Sequence, residues 1–324
     1  MKKLSIILCL AFMWCIKAEA QISQQYTIWN QNHYLINPAA AGNKSFWDIA
    51  VGYRKQWAGV SNSPSSFYGT AHGALNQPKK FQRSALATSR TSSGVYSKKG
   101  KAVKLKHAVG VSLNNAENGA FKRTDLQLTY ALHLPIYNDI YLSFGLSAGM
   151  GNYGFDQDKA NVLISGDPTY NAYSTGSNSN QLNVDGGTYL YSDKFFFGYS
   201  AKQLLQNELG IAEGISGGGA TLSIQHYLMG GYNFDLTNDF VLSPSVLYKK
   251  LGVEPASYDL NALLTFKQQI YVGLAYRSED AISLLFGMQF NHILKAGYAY
   301  DFTTSEIKDQ SSGSHEIFIG LTLF

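Results

Sequence analysis

The sequence predicts an all-β fold: a transmembrane antiparallel β-barrel of about 14 strands, preceded by an N-terminal periplasmic or lumenal segment. Three observations point to it. Segments near ten residues long alternate large apolar with small or polar residues. The connections between them are short on one side and long on the other. Charged residues make up only 15% of the chain, while it holds 22 Tyr, 18 Phe and 31 Gly. Globular proteins carry about 25% charge.

Residues 1–20 read as an export leader. Met1-Lys2-Lys3 is a basic start, Leu4 to Ile16 is apolar, and Ala18-Glu19-Ala20 is a small-x-small cleavage site, so the mature chain begins at Gln21. The apolar run is too short for a membrane helix, which needs ~20 residues. Cys9 and Cys15 both lie in the leader, which leaves the mature chain without a disulfide or thiolate site. Phe12, Met13 and Trp14 are too bulky for a lipoprotein box. The leader holds +2 of the formal +4 charge, and the remaining +2 does not argue for nucleic acid.

Residues 21–45 form the N-terminal segment. It is amide-rich and aromatic, lacks clean alternation, and contains the turn Asn37-Pro38 and the punctuating Gly42. Such a segment lies at the periplasmic mouth or folds into the lumen, where backbone groups are satisfied away from lipid.

The barrel occupies 46–324. Strands are expected near 46–56, 64–75, 105–114, 121–134, 138–151, 181–191, 193–201, 222–236, 238–249, 257–266, 268–277, 281–290, 292–302 and 313–324. Leu126, Leu128, Tyr130, Leu132 and Leu134 oppose Asp125, Gln127, Thr129 and His133. Leu294, Ala296, Tyr298, Tyr300 and Phe302 oppose Lys295, Gly297, Ala299 and Asp301. A one-residue slip would put Asp125 or Asp301 into lipid. The last strand leaves its lipid face open: Ile317, Ile319, Leu321 and Leu323 on one side, Phe318, Gly320, Thr322 and Phe324 on the other. With a periplasmic N-terminus, the short connections at 135–137, 192, 237, 267 and 291 are periplasmic, and 152–180, 202–221, 250–256 and 303–312 are outer loops, with 278–280 a short exception. A soluble sandwich would alternate without this asymmetry.

Residues 76–104 break the rule, being long on the periplasmic side. They carry Lys79, Lys80, Arg83, Arg90, Lys98, Lys99, Lys101 and Lys104 with no acidic residue. They read either as a solvated loop or as a docking surface for an acidic periplasmic partner or inner-leaflet headgroups.

Chemistry is sparse, and no cofactor is expected. Gly214-Ile215-Ser216-Gly217-Gly218 matches a nucleophile elbow but lacks the flanking strand and helix. The seven histidines show no zinc spacing. Asp156, Asp158 and Asp167 have calcium-type oxygens but not the EF-hand pattern. Lumen-facing Gly, Ser and Ala leave room for water, which keeps a porin-like diffusion or uptake channel as the alternative reading.

Several blocks stand in order along the chain: Asn37-Pro38-Ala39-Ala40-Ala41-Gly42, Tyr53-Arg54-Lys55-Gln56-Trp57-Ala58-Gly59, Gly231-Tyr232-Asn233-Phe234, Pro244-Ser245, Tyr248-Lys249, Gly273-Leu274-Ala275-Tyr276-Arg277, Asp280-Ala281, Gly297-Tyr298-Ala299-Tyr300-Asp301 and Gly313-Ser314-His315-Glu316-Ile317. Together they resemble the PorP/SprF family of the Bacteroidota type IX secretion and gliding system. The resemblance implies a non-enzymatic barrel in the cell outer membrane. It further implies pairing with a secreted adhesin-like cargo protein and docking of periplasmic ring and lipoprotein components. The partner-binding candidates are Asn37, Pro38, Gly42, Gln56 and Trp57, with Lys79, Lys80, Arg83, Lys98, Lys99 and Lys101 of the basic connection.

Overall fold

The computed structural model describes residues 24–44, 46–75, 105–137, 139–160, 170, 178–209, 220–252, 254–290 and 293–323. Fourteen antiparallel strands close into one barrel. They are β1 Trp47–Lys55, β2 Ser65–Ala74, β3 Lys106–Asn118, β4 Phe121–Tyr137, β5 Ile140–Phe155, β6 Ser179–Tyr191 and β7 Phe195–Lys202. Next come β8 Gln225–Tyr232 (continued by Phe234–Asp235), β9 Phe240–Leu251, β10 Ser257–Phe266, β11 Ile270–Arg277, β12 Ala281–Phe290, β13 Leu294–Thr303 and β14 Ser314–Leu323. Each strand pairs with its sequence neighbours, and β1 pairs with β14 from Trp47↔Leu323 to Lys55↔His315. Closure leaves no sheet edge, which is what a strand in hydrocarbon requires. None of the described helices is long and apolar enough to cross a membrane.

The alternation sets inside against outside. On β12, Ile282, Leu284, Phe286 and Phe290 point outward while Ser283 and Leu285 are buried. Asp125 and Asp301 both face the lumen. On β14 the question left by the sequence is decided: Ile317, Ile319, Leu321 and Leu323 are 40–51% exposed, whereas Glu316, Phe318 and Thr322 are at most 2%. Phe318 faces inward, with the Lys295 ammonium 5.5 Å above its ring. Replacing Ile319, midway along β14, with Arg should therefore cost about 2–4 kcal/mol, the penalty for a cation on the lipid face near the midplane. Urea titration of the folded chain in vesicles measures it, and unchanged stability would reverse the inside–outside assignment of this strand.

β1 starts and β14 ends at the same mouth. That mouth carries the short connections 138–139, 192–194, 236–239, 267–269 and 291–293. One of them is a hairpin turn with Lys267 and Gln268 at φ 46° and 55°, the paired positive φ of a type I′ turn. The opposite mouth carries the longer connections 56–64, 156–178, 203–224 and 304–313 beside the short turns 119–120 and 278–280, with a small hairpin between Glu208–Leu209 and Ala220–Thr221. By this asymmetry the short-turn mouth is periplasmic.

β3 and β5 run further at their outer ends than the sequence pattern indicated, to Asn118 and to Phe155, while β4 starts at Phe121 as expected. The reason is that polar residues occupy the outward face here. Asn115, Thr124, Asn152 and Asn180 are register partners across four strands, directly beyond the last apolar rung. Alternation ends where lipid ends, although backbone pairing continues. The connection Gly119-Ala120 is correspondingly a two-residue turn rather than a loop.

Residues 24–44 fill the lumen. They contain three single turns of 3-10 helix, Trp29–Gln31, His33–Leu35 and Pro38–Ala40, and Trp29 and Asn37 are fully buried. Of the two positions open to this segment, the lumenal one is occupied. The segment runs against β1: Tyr26 donates to Asn114 Oδ1 (3.1 Å) near the outer end of β3, and the Lys106 Nζ at the periplasmic end of β3 donates to the carbonyls of Asn43 and Lys44. Residues 24–44 therefore run from the outer mouth to the periplasmic mouth, where β1 begins.

Candidate functional site

The plug and the wall that grips it form the candidate site. At the outer end, Thr27 sits inside a ring of buried charge. Its amide donates to Glu316 Oε2 (2.6 Å) and its hydroxyl to Asp301 (3.0 Å), while Arg54 Nη1 donates to the hydroxyl oxygen (2.8 Å). Arg54 also pairs with Asp301 at 2.7 Å and lies 3.5 Å from Glu316. Arg277 joins Asp259, Asp280 and Asp301 at 3.1–3.5 Å and donates to Thr27 Oγ1 and Gln25 Oε1. Lys249 completes the ring through Asp259 at 3.0 Å. Strands on opposite sides of β14 thus converge on one threonine. Ion pairs this buried add little net stability, but removing one member leaves a charge unpaired in a dry interior.

Lower in the lumen, the wall satisfies the plug's backbone directly. Lys202, Ser200, Ser143 and His133 contact the carbonyls of Leu35, Ile36, Ala39 and Ala41 at 2.6–2.8 Å. Asn32 donates to Thr70, and Tyr34 and His33 exchange hydrogen bonds with Thr129 and Tyr189. At the periplasmic exit, Asp48 lies between Lys44 and Lys295, 2.7 Å from each. A non-repetitive segment survives at membrane depth because its backbone groups find partners on the wall in this way.

The Asn-Pro turn has a trough made for it. Asn37 caps its own turn by accepting from the Ala39 amide (2.9 Å) and donates to the carbonyls of Thr188 and Tyr199. Opposite it lie Gly145, Gly187 and Gly198. A Cβ on Gly145 would fall 2.3 Å from the Ala39 nitrogen, and one on Gly187 would fall 2.2 Å from Asn37 Oδ1. These lumen glycines were expected to leave room for water. Instead they let the plug backbone approach. Elsewhere the rings of Tyr68 and Tyr271 lie across Gly52 and Gly287, filling lumen space from the wall itself.

The sequence candidates separate. Asn37, Pro38 and Gly42 come together inside the lumen, buried, with the barrel as their neighbour; the Gly42 amide donates to His72 Nδ1 (3.0 Å). Gln56 and Trp57 sit apart from them, at the outer mouth. Lys79, Lys80, Arg83, Lys98, Lys99 and Lys101 lie outside the described residues, as do residues 1–23, Asp167 and Gly214–Gly218. Asp156 is engaged by Lys122 at 2.7 Å, and that hydrogen bond holds its carboxyl below the ordinary range. Among the described residues no three His, Cys, Asp or Glu side chains group as a metal site. His107, His226 and His315 face outward and bond Tyr130, Tyr199 and Tyr298 at 2.6–2.9 Å, positions suited to an interfacial aromatic girdle.

Sequence reasoning did not identify the clamp, although a signal was present. Arg54, Lys249, Arg277, Asp280, Asp301 and Glu316 all lie within the blocks that carry the family resemblance. All except Asp280, in the turn after β11, are strand residues whose side chains face the lumen.

Wall and contents define a plugged β-barrel of the bacterial outer-membrane type. The chain belongs to the PorP/SprF family of type IX secretion system membrane proteins, whose family model matches residues 18–321. Fold and family together point to the outer membrane. Among solved structures it is similar to the Acinetobacter baumannii outer membrane protein Omp33, with 8% identity, 87% and 100% of the two chains covered and a TM-score of 0.46. A Pseudomonas aeruginosa FadL homologue is 11% identical, with 88% and 91% covered and a TM-score of 0.49. The Ralstonia pickettii toluene transporter TbuX is 9% identical, with 89% and 92% covered and a TM-score of 0.47. No curated protein sequence matches the chain significantly.

Proposed function

We propose that this chain is a non-enzymatic component of the type IX system, exported by a cleaved leader over 1–20. It pairs at its outer face with a secreted adhesin-like protein, for export or surface attachment, and docks periplasmic machine components at the other mouth. The observation that carries the reading is the plug. Residues 24–44 occupy the lumen and are tied to the wall along their length, which favours the surfaces over a pore as the working parts. The channel reading requires that plug to leave.

The test is capture in intact cells. A photo-reactive residue at Asp158, exposed in an outer loop, is expected to trap one secreted protein, identified by mass spectrometry. Capture of lipid alone removes the pairing. For the periplasmic side, deleting 79–104 should leave insertion intact and weaken co-purification of periplasmic components at moderate salt. Unchanged recovery removes that docking surface.

A further inference from the structure

We propose that two sites on the outward face of the wall, at the outer border of the hydrocarbon, each grip the phosphate of an outer-leaflet glycolipid. Each site sets a lysine directly opposite a histidine on the neighbouring strand. Lys55 on β1 stands opposite His315 on β14, and His226 on β8 stands opposite Lys250 on β9. Side chains so placed are about 4.5–5.5 Å apart at Cβ. The inference concerns the lipid-facing surface and does not depend on the partner pairing proposed above.

The alternation fixes where these residues stand. Two positions nearer the midplane, Tyr53 and Ile317 are 48% and 51% exposed, and Tyr248 and Leu228 are 42% and 40% exposed. Lys55, His315, Lys250 and His226 share those outward faces one rung further out, about 7 Å along the strand. Acyl chains give way to headgroups there, and what borders an outward side chain at that depth is lipid.

Both sites are built alike. The Tyr298 hydroxyl bonds His315 Nδ1 at 2.7 Å, and the Tyr199 hydroxyl bonds His226 Nδ1 at 2.9 Å. With Nδ1 accepting, the neutral ring carries its proton on Nε2 and can donate outward. The ammonium is held as well. Lys55 Nζ donates to the Ser63 carbonyl (2.9 Å), and Lys250 Nζ to that of Glu254 (2.5 Å). An ammonium has three N–H donors, so two stay available. A ligand that takes bonds from a fixed ammonium and a fixed imidazole N–H must offer several acceptor oxygens and negative charge, as a phosphate does.

The leaflet narrows the ligand further. At the periplasmic end His107 makes the same bond with Tyr130 (2.6 Å), but Leu132 stands opposite it on β4 and its carbonyl accepts from the Leu75 amide on the other side. The tyrosine–histidine pair thus marks both borders, and a lysine joins it only at the outer one. In a bacterial outer membrane that leaflet is glycolipid with clustered phosphates, whereas the inner leaflet is largely zwitterionic phospholipid. Nearby acids rank the two sites. Glu117 lies in the rung of Lys55 beyond Ser65 and is paired with Lys159 at 2.6 Å. The Glu254 carboxylate lies within electrostatic reach of Lys250. The Lys55–His315 site is therefore the stronger.

The test reads lipid A retained by the full-length protein in detergent, by native mass spectrometry. The wild-type chain should retain lipid A and release lipid A stripped of its phosphates. A Lys250→Gln, His226→Gln background leaves the stronger site alone. In it, Lys55→Gln and His315→Gln should each weaken retention about fivefold, the effect of one headgroup cation or one hydrogen bond. Lys55→Arg should keep it, and His107→Gln, at the periplasmic border, should change nothing. Undiminished retention by Lys55→Gln and His315→Gln overturns the proposal, as does equal retention of the dephosphorylated lipid. A loss from His107→Gln as large as that from His315→Gln overturns the leaflet assignment. Displacement of lipid A by an equal concentration of inorganic phosphate overturns the lipid as the ligand.

Discussion

Arg54→Met is expected to loosen the plug's leading end and to lower barrel stability by about 3–5 kcal/mol. The guanidinium is 2% exposed and bonds Asp301 at 2.7 Å and Thr27 at 2.8 Å, with Glu316 at 3.5 Å. Without it, two buried carboxylates face each other with only Arg277 nearby, and Arg277 already serves Asp259 and Asp280. Methionine fills most of the volume, so the loss reports charge rather than a cavity. Equilibrium unfolding in vesicles gives the magnitude. The reactivity of a cysteine placed at Gln25 reports the plug separately from the wall. Arg54→Lys should recover only part of the loss, because an ammonium cannot present the fork that reaches Asp301 and Thr27 together. Pairing Arg54→Met with Glu316→Gln should cost less than the two changes added, since one of the two stranded charges is then gone and Asp301 keeps Arg277. A change within ~0.5 kcal/mol for Arg54→Met, the range of a neutral surface substitution, would mean that the ring does not hold the plug.

The wall was legible from the chain because a two-residue period is a local property. Lipid enforces it on every strand at hydrocarbon depth, so Leu126 to Leu134 and Ile282 to Phe290 state their own orientation. The period fades where the environment becomes water on both faces, and the outer ends of β3 and β5 were therefore read short. It was also silent on β14, where Phe318 is as apolar as the isoleucines beside it. Phe318 is inside because it joins the buried cluster that holds Tyr271 and the plug's Ile28 and Trp29, with the Lys295 ammonium over its ring, which no local pattern encodes. The plug lay beyond reach for the same reason. Thr27 meets Glu316 across 289 residues of sequence, and Gly145 looks like any small lumen residue until Ala39 is set against it. Family resemblance pointed to the right residues without their roles: the blocks around Arg54, Arg277, Asp301 and Glu316 are those that assemble the clamp. The basic stretch 79–101 remains a reading of charge alone, outside the described residues.

Gly145→Val should open the barrel without unfolding it. The residue faces the lumen on β5, and a Cβ there would lie 2.3–2.5 Å from the nitrogen and Cα of Ala39 and the carbonyl carbon of Pro38. All three are backbone atoms, fixed by the turn that Asn37 caps, so nothing at the end of a flexible side chain can give way. Ordinary overpacking costs about 1–3 kcal/mol; a clash with capped backbone exceeds what local adjustment relieves. The wall itself loses nothing, because valine suits a strand better than glycine. The strain therefore falls on the plug, which gives up the Ser143 and Asn37 contacts and withdraws from the trough. In planar bilayers the native chain should be silent and Gly145→Val should give sustained conductance. Gly69→Val is the matched control: the nearest atom to its Cβ is Val51 Cγ1 at 3.9 Å, an ordinary contact, and that variant should stay silent. A silent Gly145→Val barrel whose plug resists protease as the native one does would show that the trough does not seat Ala39. Silence with a protease-sensitive plug would show instead that the wall's own rings, Tyr68 and Tyr271 among them, suffice to close the lumen.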